Sequence, residues 1–235
     1  MLASQTLSPI DEMASSPLAP ADPSSLHGSS ALFTGAASGL GASTAAFFAE
    51  QGAYVTIADI QDGSAFATSL KAKGFNIQHV HCDVTDYASQ VAAFKAALAF
   101  SPNGALDFVG AFAGVDTCGP LVDHVASASS GLPPPEPGLG PLEVNVKGTV
   151  FTATLAMHYL GSPEDSAASK ALLLVGSMAG YVDDTHDTVY TASKFGLRGL
   201  FRAIRGDAKE KLGVRVNIVC PWAVRETCQR FNRRL

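Results

Sequence analysis

The sequence predicts an α/β fold, a single parallel sheet covered by helices on both faces, and three observations predict it. Strand-like apolar runs alternate with helical patterns along most of the chain. The apolar runs are unbroken, as expected of strands buried on both faces. A glycine-rich turn, TGAASGLG, stands where the first run gives way to the first helix.

Residues 1–30 contain 16 Ser, Pro or Ala and only three charges, and read as a disordered leader with no fold of its own. The domain is expected over 31–227, with a short basic tail at 228–235. ALFTG (31–35) is the first strand. STAAFFAEQGA is a small-residue helix ending near Gly52, and YVTIAD (54–59) is strand two. GSAFATSLKAKG reads as a helix closed by Gly74, and NIQHVHCD (76–83) as strand three. YASQVAAFKAALAF (87–100) is helical and LDFVGAFAG (106–114) is strand four. ASASSGLPPPEPGLGP, with three consecutive prolines, can continue neither helix nor central strand and is an extended loop. A long helix follows from about Leu142 to Leu160, then strand five, ALLLVGS (171–177). A helix carrying Tyr190 and Lys194 runs to about Leu212, and VRVNIVCP (214–221) is strand six. No internal repeat is visible.

Composition narrows the function classes. The 235 residues are 47% hydrophobic and 16% charged, which suits one domain of ordinary size. No apolar run is long enough to span a bilayer. A net charge of −5 gives no reason to expect nucleic acid. There is no Lys or Arg before Lys71, so the N-terminal stretch lacks the basic region of a signal peptide and the arginines of a transit sequence. Eleven basic residues against three acidic ones lie from Lys194 onward, and read as a solvated face rather than a site for an anionic partner. Cys82, Cys118, Cys220 and Cys228 form no CxxC or zinc pattern; Cys82 and Cys220 fit small core residues, and a reducing, cytoplasmic setting is expected.

Gly35, Gly39 and Gly41 let the first turn approach a diphosphate, whose charge the helix N-terminus meets. The spacing is GxxxGxG, not the commoner GxGxxG. Asp59 closes strand two, 24 residues beyond Gly35, where a carboxylate accepts ribose hydroxyls and repels a 2′-phosphate. NAD is therefore expected over NADP; the alternative for Asp59 is a strand-end cap. Asp83, in CDVTD, can meet the adenine amino group, cap the next helix, or do both. Tyr190 and Lys194 are i and i+4 on one helix face, and a nearby ammonium favours the phenolate. Such a tyrosine can exchange protons at working pH. His79 and His81 share a strand face without an evident third ligand, so core or edge histidines are expected rather than a metal site. DDTHD (183–187) reads as a solvated loop, with substrate contact as the alternative.

TGxxxGxG with Asp59, CDV, Asn145, Ser177 and, thirteen residues later, YxxxK resembles the short-chain dehydrogenase/reductase family. The resemblance runs from about Ala31 to Val224. PPPEP, VNVKGTVFTATLAMHYL and CPW are most similar to fungal NAD-dependent alcohol dehydrogenases, a group like 15-hydroxyprostaglandin dehydrogenase. The resemblance implies a doubly wound Rossmann domain of strand order 3-2-1-4-5-6 that interconverts a secondary alcohol and a ketone. It implies Tyr190 as general base or acid and Lys194 as the group that lowers its pKa and binds the nicotinamide ribose. Ser177 would hydrogen-bond the substrate oxygen, and Asn145 would bend its helix and hold a water leading from Lys194 to solvent. Gly35, Ser38, Gly39, Leu40, Gly41, Asp59, Ile60, Asp83, Val84, Ala113, Gly114, Pro221 and Val224 would join Tyr190 and Lys194 around the cofactor. Helices starting near Leu142 and Thr188 resemble dimerisation helices, so a homodimer or homotetramer is expected.

Three departures from that family pattern stand out. Phe112 occupies the place of an asparagine in the turn after strand four, which predicts an altered strand end or adenosine pocket. After strand six, Trp222 follows Pro221 where a glycine is usual, and Glu226 stands where a threonine would meet the nicotinamide. The ending CQRFNRRL is too short for the usual covering helices and last strand, so strand six is expected to be an exposed edge. These departures define the alternative, a catalytically inactive dinucleotide-binding protein or subunit.

Overall fold

The computed structural model describes residues 22–116, 119–126, 128, 131–161, 170–182 and 187–222. Among the described residues six strands form one sheet: β1 (Ser30–Thr34), β2 (Tyr54–Asp59), β3 (Ile77–His81), β4 (Phe108–Ala111), β5 (Ala171–Val175) and β6 (Arg215–Val219). Their order is β3-β2-β1-β4-β5-β6, every pair parallel, as the alternating pattern requires. The order reverses between β1 and β4, which opens a crevice at their carboxyl ends. The helices are α1 (Gly39–Glu50), α2 (Ser64–Lys71), α3 (Tyr87–Phe100), α4 (Leu121–Ala126), α5 (Thr149–Leu160) and α6 (Thr188–Leu212).

Strand residues alternate between two cores. Ala31, Phe33, Val55 and Ile57 pack on one face with Ala45, Ala49 and Leu70 of α1 and α2. Leu32, Val109, Leu172 and Leu174 pack on the other with Phe94 of α3, Ala153 and Ala156 of α5, and Ala208 of α6. Small residues on α1 and α5 let those helices lie close to the sheet, while the ring of Phe94, fully buried, contributes about 2–3 kcal/mol. At the opposite, amino ends of the strands, Lys170 Nζ donates to Asp107 Oδ1 (2.9 Å) and to the Leu106 carbonyl (2.8 Å). Asp107 Oδ2 in turn accepts from Ser30 N at 2.8 Å, so one ion pair ties β1, β4 and β5 together.

Several expectations are corrected. Structure begins well before Ala31: Pro23–Leu26 is a 3₁₀ turn capped by Asp22, Leu26 is buried, and Ser30 belongs to β1. A leader reaching residue 30 is therefore too long. The helix after strand two stops at Lys71, with Gly74 in the turn beyond it. The long helix expected from Leu142 opens with a π-helical turn, Leu142–Gly148, before α5. The cap of α3 is Asp86, whose carboxylate accepts from Ala88 N; Asp83 instead folds onto Thr85. Cys220 is half-buried rather than a core residue, whereas Cys82 is fully buried. Asp187 of DDTHD caps α6 by accepting from Tyr190 N, and 183–186 lie outside the described residues. So do Cys118, Cys228, Val224 and Glu226. Among the described residues β6 pairs only with β5, and no helix is long and apolar enough to cross a membrane.

Candidate active site

The TGAASGLG turn is built by close approaches that only glycine permits. Gly35 has φ +65°, and a Cβ there would run into the backbone of Ala113 at the end of β4. A Cβ at Gly41 would strike the carbonyl of Gly35. Ser38 stands at the N-cap of α1 but makes no side-chain cap bond, so the first turn of α1 presents its amides toward the cleft. Asp59 is buried, and both its oxygens are engaged by the main chain: Oδ2 accepts from Ala37 N and Oδ1 from Gln61 N, each at 2.9 Å. The carboxylate thus braces the glycine turn, and the strand-end role expected as its alternative is real.

A cleft of about 320 Å³ runs across this turn. Gly35, Ser38, Gly39, Leu40 and Gly41 line it together with Asp59, Ile60, Asp83 and Val84, and Ala113 and Gly114 line it beside Gly35. Asp83 Oδ1 accepts from Thr85 N and Thr85 Oγ1, both at 2.8 Å, and these bonds hold its carboxyl below the usual carboxylate range. Burial pushes the neighbouring Cys82 thiol up to about 11, so it is inert at neutral pH. Phe112 turns its ring into the α1 face of the core, edge-on to Phe33 at 5.6 Å, and its N–H still bonds the Thr34 carbonyl at 3.0 Å. An apolar side chain there leaves the end of β4 paired while changing what it presents to the cleft.

A second cleft of about 390 Å³ shares Leu40, Phe112, Gly114, Val115 and Val175 with the first and continues it. Ser177, Tyr190, Lys194 and Pro221 line it, together with Asp116 and Trp222. Lys194 is buried, donates to the Val175 carbonyl at 3.1 Å, and lies with Nζ 5.3 Å from the Tyr190 ring centre. Burial pushes its ammonium down to about 8, with the nearby Cys220 sulfur opposing the shift. Ser177 Oγ accepts from Ala179 N at 3.1 Å, capping the 3₁₀ turn Met178–Gly180 and fixing the serine at the end of β5.

Asn145 lines neither cleft. It is fully buried, accepting from Val115 N (2.8 Å) and donating to the Val115 carbonyl and Ser193 Oγ (2.9 Å each). Both amide protons are used inside the protein, so its side chain has no donor left for the water expected of it. The π-helical turn accounts for the bend: it swings Asn145 toward Val115 and α6. Of the expected residues, all the described ones except Asn145 line the two clefts. Sequence reading missed Gln61, Val144, Val175 and Asp116 as lining residues. It also missed Ser193, the partner of Asn145, although a small polar residue beside Lys194 on a packed helix was a visible signal. His79 Nε2 lies 3.1 Å from the Gln61 carbonyl, under the loop after β2. Among the described residues no three His, Cys, Asp or Glu side chains converge as metal ligands would.

The family model for short chain dehydrogenases matches residues 29–234. The 5′-hydroxyaverantin dehydrogenase of Emericella nidulans is 46% identical over 212 residues, covering 86% of this chain and 68% of that protein. Its counterpart in Dothistroma septosporum is 42% identical, covering 86% and 69%. An NADP-dependent dehydrogenase of Cochliobolus lunatus is 32% identical, covering 83% and 71%. Among solved structures, a short chain dehydrogenase/reductase from Burkholderia phymatum in complex with NAD superposes with a TM-score of 0.71 at 24% identity, covering 85% of this chain and 67% of that one. That last likeness is one of fold.

Proposed function

The chain belongs to the short-chain dehydrogenase family, an oxidoreductase acting on CH–OH groups, and on that premise we propose that it interconverts a secondary alcohol and a ketone with NAD. The observation that carries the reading is the continuity of the two clefts: a glycine-lined cradle with helix amides at one end leads to Tyr190, Lys194 and Ser177 at the other. The cradle suits a dinucleotide: its turn, too tight for a Cβ at Gly35 or Gly41, brings bare main chain to the cleft beside the amides of α1. Nicotinamide, when bound, supplies the hydride acceptor or donor.

The residues of the chain do the rest. Tyr190 takes the hydroxyl proton of the alcohol, or returns it to the ketone oxygen. Lys194, held by the Val175 carbonyl, keeps a positive charge beside the phenol at neutral pH and contacts the nicotinamide ribose. Ser177 donates to the substrate oxygen as charge develops on it. Asn145 serves by position, joining the end of β4 to α6. Asp59 favours NAD by repelling a 2′-phosphate, and the glycine turn contributes no cation to offset that repulsion. The substrate to test first is 5′-hydroxyaverantin, named by two of the most similar relatives. A homodimer or homotetramer through α5 and α6 belongs to the same reading; Val150 and Phe195 are exposed on those helices.

The test is an NADH and NADPH titration followed by turnover of 5′-hydroxyaverantin with NAD. Saturable binding that prefers NADH, with turnover that Tyr190→Phe abolishes, is the expected result. Binding without turnover of this or other secondary alcohols would instead identify an inactive dinucleotide-binding protein.

A further inference from the structure

Gln90, in the first turn of α3, is 0% exposed and touches neither cleft, yet every polar group of its side chain is committed. Its Nε2 donates to the Val84 carbonyl at 2.6 Å and to the Gly148 carbonyl at 2.9 Å. Its Oε1 accepts from Thr152 Oγ1 at 2.8 Å. Gly148 is the last residue of the π-helical turn, where the regular helical ladder slips by one residue and a carbonyl can turn to an outside donor. The contact is tight as well as polar: a Cβ at Gly148 would lie 2.9 Å from Val84 Cγ2. The two segments so joined each contribute a residue, Val84 and Val144, to the lining of the first cleft, and Val84 stands beside Asp83 in it.

We propose that Gln90 is a positioning residue: it fastens the π-helical turn to the Asp83–Val84 loop and so couples the adenosine end of the cleft to the catalytic end. The coupling runs through contacts already described. The π-helical turn carries Asn145, Asn145 holds Val115 and Ser193, and Ser193 adjoins Lys194 on α6. An apolar residue at 90 would take the donor from the buried Val84 carbonyl and leave the Gly148 carbonyl with Thr152 Oγ1 alone, 3.0 Å away, so the tie between the two segments is cut and the turn would relax toward regular α-helix. That relaxation rotates Asn145 away from Val115. The inference rests on the proposed oxidoreductase function and concerns how that site is held.

The experiment compares Gln90→Met and Thr152→Val with wild type. Gln90→Met keeps the length of the side chain and removes its donors; Thr152→Val removes the hydroxyl that orients the amide and also reaches the Gly148 carbonyl. Gln90→Met is expected to lower kcat about tenfold or more with little change in KM for the alcohol. It should also weaken NADH severalfold and displace the pH profile of kcat, with Thr152→Val showing the same changes at smaller size. A lower melting temperature with wild-type kcat, pH profile and NADH affinity, measured below that temperature, would overturn the proposal and leave Gln90 a core polar residue. If Gln90→Met does not fold, Thr152→Val carries the same readouts and the same refutation. Wild-type turnover and its loss in Tyr190→Phe judge the enzyme reading separately. Should wild type turn nothing over, the NADH affinity of the Gln90 and Thr152 variants still decides the coupling.

Discussion

Replacing Lys194 by methionine should do more than remove activity: it should erase a pH dependence of stability that the burial of this lysine creates. The unfolded chain holds the Lys194 proton up to about the ordinary 10.5, and the folded chain only to about 8. Between those values the unfolded state binds more protons, so stability rises with pH. The whole difference amounts to about 3 kcal/mol at about 1.4 kcal/mol per pH unit, and it opposes folding in full below pH 8. Between about pH 7.5 and about pH 9.5 the recovery is roughly 2 kcal/mol. Methionine keeps the stem and loses the charge. It leaves the Val175 carbonyl without its donor, a cost that does not change with pH. Urea unfolding of wild type and Lys194→Met at both pH values gives the test. Taking the wild-type-minus-variant difference cancels the titrating groups that Lys194 does not touch. That difference should grow by about 2 kcal/mol in favour of wild type on going to the higher pH. Parallel stabilities at the two pH values would refute the reasoning, because they would mean that the ammonium is not desolvated in the folded protein.

Two further outcomes follow from other contacts. Gly35→Ala places a Cβ against the Ala113 backbone at a left-handed residue, so it should cost at least about 1–3 kcal/mol of stability and abolish measurable NADH binding; undiminished affinity in a fluorescence titration would show that the turn is not the cradle. Lys170→Met breaks the ion pair that joins β1, β4 and β5 at the end of the sheet away from the cleft. It should lower stability by about 2–3 kcal/mol, a little under the value for a fully buried pair because both side chains keep some solvent contact, while NADH affinity measured on the folded variant stays at the wild-type value.

Local patterns made much of the fold legible. Tyr54–Asp59 and Tyr87–Phe100 form just where their apolar runs and periodicity place them, and the parallel sense of the sheet follows from the alternation of strands and helices, while its order was implied by the family resemblance. The glycine turn was legible because phosphate approach, tight turning and missing Cβ atoms all demand the same residue type. Features that depend on a distant partner were not legible. The short helix Leu121–Ala126 has no strong pattern; it docks through Leu121 N on Thr188 Oγ1, sixty-seven residues away. Asp83 and Asp86 are both credible helix caps by spacing, and only the path of the loop gives the cap to Asp86. Residues 22–30 look like part of a disordered leader by composition, yet Ser30 is drawn into the sheet by Asp107.

By itself, then, the sequence determined the order of strands and helices, the parallel sheet, the glycine cradle and the pairing of Tyr190 with Lys194 on one helix face. Each of these depends on periodicity or on neighbours within a turn, which any stretch of chain carries with it. The tertiary structure alone decided that Lys194 is buried enough to titrate near 8, that Asp59 braces the loop it follows, and that Asn145 spends its amide on Val115 and Ser193. It alone set Gln90 against a π-helical turn fifty-eight residues away. Burial and hydrogen-bond partnership are properties of what surrounds a side chain, and those surroundings exist only once distant segments have packed.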